Sequence, residues 1–360
     1  MAAADWPPVA IVAFTTGAAS VKGERLAYPE KSTLRCPVKV IPREMAGVTA
    51  TMVDVELPAH GKFDALVPLL LEELLANPTN TVAAWRGERR YAQVFRSETL
   101  EKHTDLPIRD GGTYLITGGF GGIGLTLAED LVRRHKAKIV LVARTALPPR
   151  EAWDGYKLRH GSHDAVSRRI AAVERLESLG GQVMVAAGDV SNVEDMRGAL
   201  EKVQMRFGAV HGVIHAAGTI KDAPLLAKTP AEIEDVFTPK LHGTEVLHQL
   251  FPDGALDFLV LFASSSTVTA PVGQVDYVAA NEFLNAYAKA HDGGKTRVLA
   301  LNWGIWAEVG MAAEALGLTG DAPDRTETSV DAAILARATF DARGNRLFKA
   351  DLSTKHLALN

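Results

Sequence analysis

The chain has 360 residues, 47% of them hydrophobic, and a formal net charge of −4. That length accommodates two domain-sized cores, and the charge balance lacks the basic excess that nucleic-acid binding needs. A single cysteine, Cys36, allows no internal disulfide and suits a reducing cytosol.

Residues 1 to about 110 carry β-like runs at Val9–Phe14, Val38–Ile41, Ala50–Val55 and Thr81–Trp85, with a helix-like run at Phe63–Leu75. None of these strands leads into a glycine-rich phosphate loop, so this stretch reads as a structural unit without a cofactor. The apolar runs Val9–Phe14 and Leu66–Leu71 are too short to cross a bilayer, and no charged leader with a cleavage site opens the chain. A cytoplasmic location is expected. His103 to Gly112, polar and ending in glycines, reads as a linker.

From residue 113 to about 306, strands and helices alternate, which predicts a parallel, doubly wound α/β sheet. Thr113–Thr117 is a short apolar strand, followed by Gly118, Gly119, Phe120, Gly121, Gly122, Ile123 and Gly124, then a helix-like Leu125–Arg134. Strand, glycine turn and helix in that order form a dinucleotide cradle: the backbone approaches a pyrophosphate and free amides face its charge. The spacing TGxxxGxG, starting at Thr117, resembles that of short-chain dehydrogenases. The second strand, Lys138–Ala143, runs into Arg144, about 20 residues past the glycines, where an acidic residue would hold the ribose of NAD. A guanidinium there favours the 2′-phosphate of NADP; a solvated strand-end arginine is the plainer alternative.

Two inserted stretches interrupt the alternation. Thr145 to His163 precedes a helix-like Val166–Leu179 and is expected to cross the surface near the adenosine end of the cofactor. Ala312 to Ser329 holds Gly317, Gly320 and Pro323 and reads as a loop. Asp189 and Val190 follow the third strand; Asp189 resembles the residue that contacts adenine in short-chain dehydrogenases, with the capping of the next helix as the structural alternative. His215 ends an apolar strand and reads as a core residue. Ala216, Ala217 and Gly218 after it are small enough for a close backbone approach.

Tyr277 stands four residues before Asn281, where most short-chain reductases place a lysine. A tyrosine hydroxyl with an ordinary pKa near 10 needs a cation and hydrogen-bonding partners to act as a proton donor. Lys240, which on its own reads as a solvated helix lysine, is the candidate cation on the resemblance given below, and Ser264, thirteen residues before Tyr277, the candidate hydroxyl. Ser265 and Ser266 compete with it on sequence alone. Asn281 holds either the lysine, a relay water or the end of its own helix.

Taken together, Thr117–Gly124, Gly188–Ser191, His215–Gly218, Lys240, Phe262–Ser264, Tyr277 with Asn281 and Leu301–Trp306 resemble the ketoreductase domain of a modular polyketide synthase. The resemblance extends to Tyr28–Lys31 and Val40–Glu44, similar to the region preceding the core in such synthases. It implies three divisions: a truncated Rossmann-like structural subdomain over 1–112, a catalytic subdomain over 113–335, and a segment over 336–360 leading toward another domain. It implies NADPH as cofactor, no metal, and as partner an acyl carrier protein bearing a β-ketoacyl thioester. Tyr277 would protonate the carbonyl oxygen, Ser264 hold it, and Lys240 favour the phenolate and bind the nicotinamide ribose. The 312–329 stretch would form the lid, and Arg343 to His356 the approach to a neighbouring domain. An LDD-like triplet marks the class giving a D-configured hydroxyl; here Ile220-Lys221-Asp222 keeps its last aspartate, while the L-class tryptophan is replaced by Thr269. A D product is expected, with Asp222 steering the substrate or standing in solvent as a loop carboxylate. A free-standing short-chain alcohol dehydrogenase and a redox-inactive NADP-binding domain are the competing readings. The displaced lysine and the first 110 residues oppose the first; the intact tyrosine and glycine loop oppose the second.

Overall fold

In the computed structural model, which describes residues 8–58, 63–76, 80–95, 107–304 and 306, the strands fall into two sheets. The first is built from β1 (Val9–Thr15), α1 (Arg35–Glu44), β2 (Val48–Val55), α2 (Leu66–Leu75), β3 (Val82–Arg86) and β4 (Arg89–Ala92). Its order is β1-β2-β3-β4, parallel except for β4, which folds back on β3. This is the short Rossmann-like unit expected at the N-terminus.

The second sheet begins with β5 (Thr113–Thr117), α3 (Gly122–His135), β6 (Lys138–Ala143), α4 (Trp153–His160), α5 (Ala165–Ser178) and β7 (Gln182–Ala187). It continues with α6 (Val193–Phe207), β8 (Gly212–His215), α7 (Pro230–Phe237), α8 (Gly243–Leu250), β9 (Phe258–Ser264), α9 (Ser266–Thr269), α10 (Val275–Ala290) and β10 (Arg297–Trp303). All six strands are parallel, in the order β10-β9-β8-β5-β6-β7. This is the doubly wound Rossmann order, whose direction reverses between β5 and β8; ligands of such sheets bind in the crevice opened there.

Uninterrupted apolar strands are what a sheet covered on both faces demands. Along β5, the period of two sends Tyr114 and Ile116 into a core with Leu131, Ile139, Leu141 and Ile170, under α3 and α5. Leu115, between them, faces the opposite core with Val140, Leu247, Leu261 and Phe283, under α6, α8 and α10. Each fully buried aliphatic or aromatic side chain contributes about 1.5–3 kcal/mol. The helices start and stop on local signals. Thr229 and Glu232 form a reciprocal capping box at α7, and α3 ends where Lys136 turns left-handed, its amide bonded to the carbonyls of Leu131 and Val132.

One expectation is overturned. Val38–Ile41 is not a strand but part of α1. The alternating apolar residues misled because α1 is buried on two sides. Cys36 and Val40, one turn apart, pack against α10 through Val275, Val278 and Ala279, whereas Val38 packs against Ala50 and Met52 of β2. The 145–163 insertion also carries more order than expected: it holds α4, whose Trp153 is buried in the sheet core and donates from Nε1 to the Pro148 carbonyl at 2.8 Å. The proposed lid, the segment 336–360 and the first residues of the proposed linker lie outside the described residues.

Candidate active site

The glycine loop leaves β5 at the switch point, where only a side-chain-free backbone fits. Gly118 has φ +62°, and a Cβ on it would sit 2.8 Å from the Ala216 carbonyl oxygen and the Ala217 backbone. A Cβ on Gly119 would meet Leu141 at 2.7 Å and the Ile116 carbonyl at 2.9 Å. Gly124 lies against Gly119, bringing α3 close to the sheet. The Gly121 amide closes a turn onto the Gly118 carbonyl at 2.9 Å, and α3 starts one residue later. Its first-turn amides thus open onto the crevice between β5 and β8. Thr117 ties the two strand ends together: its carbonyl accepts from the Ala216 amide, and its Oγ1 pairs with His215 Nδ1 at 2.7 Å. This cradle suits a dinucleotide pyrophosphate: Gly118 and Gly119 leave no room for a Cβ, so the loop lies tight against the strand ends and α3 begins beside the crevice. Arg144 is exposed just past β6 and forms no ion pair among the described residues, leaving its guanidinium available. Val190 is buried in the core, while Asp189 makes a tight turn with Ser191. Asn192, not Asp189, caps α6.

His215 is a core residue, as the sequence indicated. Its burial and the neighbouring Lys240 push its pKa down to about 3, so it stays neutral.

Lys240 and Tyr277 reach the crevice from different elements. Lys240 sits in a π-helical turn, Thr238–His242, joining α7 to α8; Pro239 there lacks an amide to continue the α-helical ladder. Only 3% of Lys240 is exposed. Its Nζ donates to the Phe262 carbonyl at 2.7 Å and lies 5.7 Å from the centre of the Tyr277 ring. Burial pushes its pKa down to about 7. Gly218 makes room for it, since a Cβ there would press on Lys240 Cε at 3.0 Å.

Tyr277, on the first turn of α10, is 8% exposed. Burial raises its pKa, opposed in part by the Ser264 and Asn281 side chains that face its hydroxyl. Ser264 ends β9, and its Oγ also accepts from the Ser266 amide at 3.1 Å. Of the three competing serines, Ser264 is the one turned to Tyr277. Asn281 lies in mid-helix, so the capping alternative fails. Its Nδ2 donates to the Tyr277 carbonyl at 2.7 Å, and its buried Oδ1 has no partner among the described residues. Asp222 is exposed but held: Gln274 Nε2, three residues before Tyr277, donates to it at 2.9 Å.

Sequence reasoning missed the residues that fix Tyr277 from behind. Asp276 accepts the Tyr277 amide on Oδ1 at 2.8 Å and Lys228 Nζ on Oδ2 at 2.8 Å, in an ion pair almost wholly out of water. Lys228 also donates to the Lys221 carbonyl, so one ammonium ties the loop after β8 to the start of α10. The one hint was an aspartate inside the apolar run Val275–Ala280.

Such a constellation can protonate an oxygen while a cofactor in the cradle supplies electrons. Residues 112–308, more than half of the chain, match the KR domain family. The chain belongs to the KR family. Among curated relatives of this KR chain, a phenolphthiocerol/phthiocerol polyketide synthase subunit of Mycobacterium tuberculosis is 37% identical over 250 residues, covering 68% of this chain. Polyketide synthase PksL of Bacillus subtilis is 30% identical over 293 residues, covering 78% of it. The KR chain spans only 13% and 6% of those relatives' lengths, which are multidomain synthases. Among solved structures, a ketoreductase domain from the bacillaene assembly line superposes with TM-score 0.68 at 27% identity, covering 85% of this chain and 68% of that one. A-type ketoreductases from a modular polyketide synthase give TM-score 0.70 at 27% identity, covering 84% and 61%. The KR chain is thus an oxidoreductase of the ketoreductase type, a class that uses a nicotinamide cofactor. Among the described residues, no helix is long and apolar enough to cross a membrane.

Proposed function

We propose that the chain reduces a β-ketoacyl thioester, carried on an acyl carrier protein, to a β-hydroxyacyl thioester with NADPH, the D-configured hydroxyl being favoured. The observation that carries this reading is the convergence of Tyr277, Ser264 and buried Lys240 beside the glycine cradle. The same geometry disfavours a redox-inactive domain. The cradle and the α3 amides would hold the pyrophosphate, Arg144 the 2′-phosphate, and Asp189 the adenine, with Ala216, Ala217 and Gly218 beside the nicotinamide. NADPH, when bound, supplies the hydride.

This chain's own side chains do the rest. Ser264 donates to the substrate carbonyl oxygen and holds the alkoxide that develops there. Tyr277 gives that oxygen its proton and is left as a phenolate. A phenolate in so buried a place is costly, and the Lys240 ammonium, held by the Phe262 carbonyl, offsets that cost. Asn281, braced on the Tyr277 carbonyl, supports the same turn of helix. Asp222, held by Gln274, and Thr269 in place of a tryptophan support the D assignment, on the resemblance to ketoreductases. We also propose the division at residues 112 and 335, with a following synthase domain beyond.

Cofactor consumption with a 3-oxobutanoyl N-acetylcysteamine thioester tests the reading. NADPH should be oxidised well ahead of NADH, and Arg144→Asp should reverse or erase that preference by replacing attraction with repulsion. Equal turnover with both cofactors in the unmodified protein would contradict the role given to Arg144.

A further inference from the structure

The N-terminal unit carries none of the residues assigned above, yet one of its side chains reaches the rim of the active site. Glu44 is the last residue of α1. Its Oε2 accepts the Leu225 amide at 2.6 Å, and its Oε1 accepts the Gly273 amide at 2.8 Å. These amides belong to the two loops flanking Tyr277: the one leaving β8, which carries Asp222, and the turn entering α10, which carries Gln274. The loops touch each other on their own account through the Ala223 amide on the Gly273 carbonyl, at 3.0 Å, and Gln274 on Asp222. Gly273, at φ +84°, makes a left-handed turn that presents its amide to Glu44 and its carbonyl to Ala223. The carboxylate therefore bridges loops that are 48 residues apart in sequence (225 to 273), from an element some 180 residues away.

We infer that Glu44 is a positioning residue for substrate: the carboxylate fixes the spacing of the two loops and so the direction from which a ketone reaches Tyr277. A carboxylate accepting two backbone amides, one on each oxygen, makes two charge-assisted bonds, stronger than neutral ones. A glutamine in its place would turn an amide NH₂ toward one of the two donors. The N-terminal unit is thereby part of the specificity apparatus as well as a support. The inference rests on the reductase reading above.

The test compares Glu44→Gln and Glu44→Ala with the unmodified protein, using the same 3-oxobutanoyl thioester and chiral analysis of the 3-hydroxy product. Glu73→Gln serves as a control for general loosening, since Glu73 binds Trp85 and Arg90, both inside the N-terminal unit. Both Glu44 variants should raise KM for the thioester about fivefold or more and yield mixed hydroxyl configuration, with NADPH affinity unchanged. The Glu73 variant should lower Tm and leave KM and configuration alone. Wild-type KM and configuration in Glu44→Gln would overturn the inference. So would losses in kcat and NADPH binding that merely follow Tm, as in the Glu73 control. Should the unmodified protein reduce no thioester, the functional reading fails, and amide exchange still tests the clamp. The Leu225 and Gly273 amides must both be protected in the unmodified protein, and at least one of them must lose that protection in Glu44→Gln; unprotected amides in the unmodified protein, or full protection of both in the variant, refute it.

Discussion

Lys240 has two duties that pull in opposite directions. Its ammonium is wanted beside Tyr277, but burial lowers its pKa from 10.5 to about 7. The folded chain therefore holds this proton less tightly than the unfolded chain does. Below about pH 7 the group is charged in both states, and folding bears the full cost of burying it; between about pH 7 and 10.5 the folded form sheds the proton and the cost fades. Lys240→Met should thus raise the melting temperature near pH 6, by roughly 2–4 °C for each kcal/mol gained, and the gain should shrink toward pH 10. The same variant should lose reductase activity. An unchanged or lowered Tm near pH 6 would mean that the bond to the Phe262 carbonyl outweighs the desolvation. This tension was not legible in the sequence, where Lys240 looks like any helix lysine. Its burial depends on Gly218, Phe262 and the π-helical turn coming together. Tyr277 and Ser264 were legible, because a strand end and the first turn of the next long helix fix their separation locally.

At the scale of elements, the junction of β5 with α3 was the most readable part of the chain. An apolar strand, a glycine run and an amphipathic helix are all short-range patterns, and the observed bounds of β5 match the expected ones. The loop's tolerances make it fragile. Gly118→Ala would both force a side chain into a left-handed backbone and place its Cβ 2.8 Å from the Ala216 carbonyl. Cofactor binding should weaken by about tenfold or more, an effect equivalent to about 1.4 kcal/mol, as read by NADPH fluorescence titration. A variant that binds NADPH normally would show that the loop can shift without loss. By contrast, α1 was misread, since burial on two faces gives a helix the alternating pattern of a strand. The same helix supplies Glu44, and long-range bonds from one side chain to two backbone amides leave no trace in local spacing.

Across the whole molecule, α1 and the turn before it are fastened to the back of the catalytic helix. Glu282 on α10 pairs with Lys39 at 2.5 Å and Arg35 at 3.6 Å, and Ser32 donates to its backbone carbonyl. Lys39 and Arg43 also donate to the carbonyls of Thr267 and Thr269 on α9, just behind Ser264. Nearly all of the Glu282 carboxylate is out of water, so Glu282→Gln strands two cations at the junction and should destabilise the fold by about 3 kcal/mol or more. Calorimetry should show a single transition moved to lower temperature. An unmoved transition would show that the charges at this junction contribute nothing to holding the two units together. The doubly wound sheet was legible at this scale from the alternation of strands and helices, and the two-part architecture from the lack of a glycine loop before residue 113. The contacts between the parts were not, because each joins residues hundreds of positions apart.

The central claim is that Tyr277 delivers the proton when a β-ketoacyl thioester is reduced. Its most direct test is a single-turnover comparison of the unmodified protein with Tyr277→Phe, each loaded with NADPH. Removing one hydroxyl while keeping the packed ring should slow reduction by about 10²–10⁴-fold and leave NADPH affinity unchanged. Reduction by the phenylalanine variant at a rate within a few-fold of the unmodified protein would contradict the account.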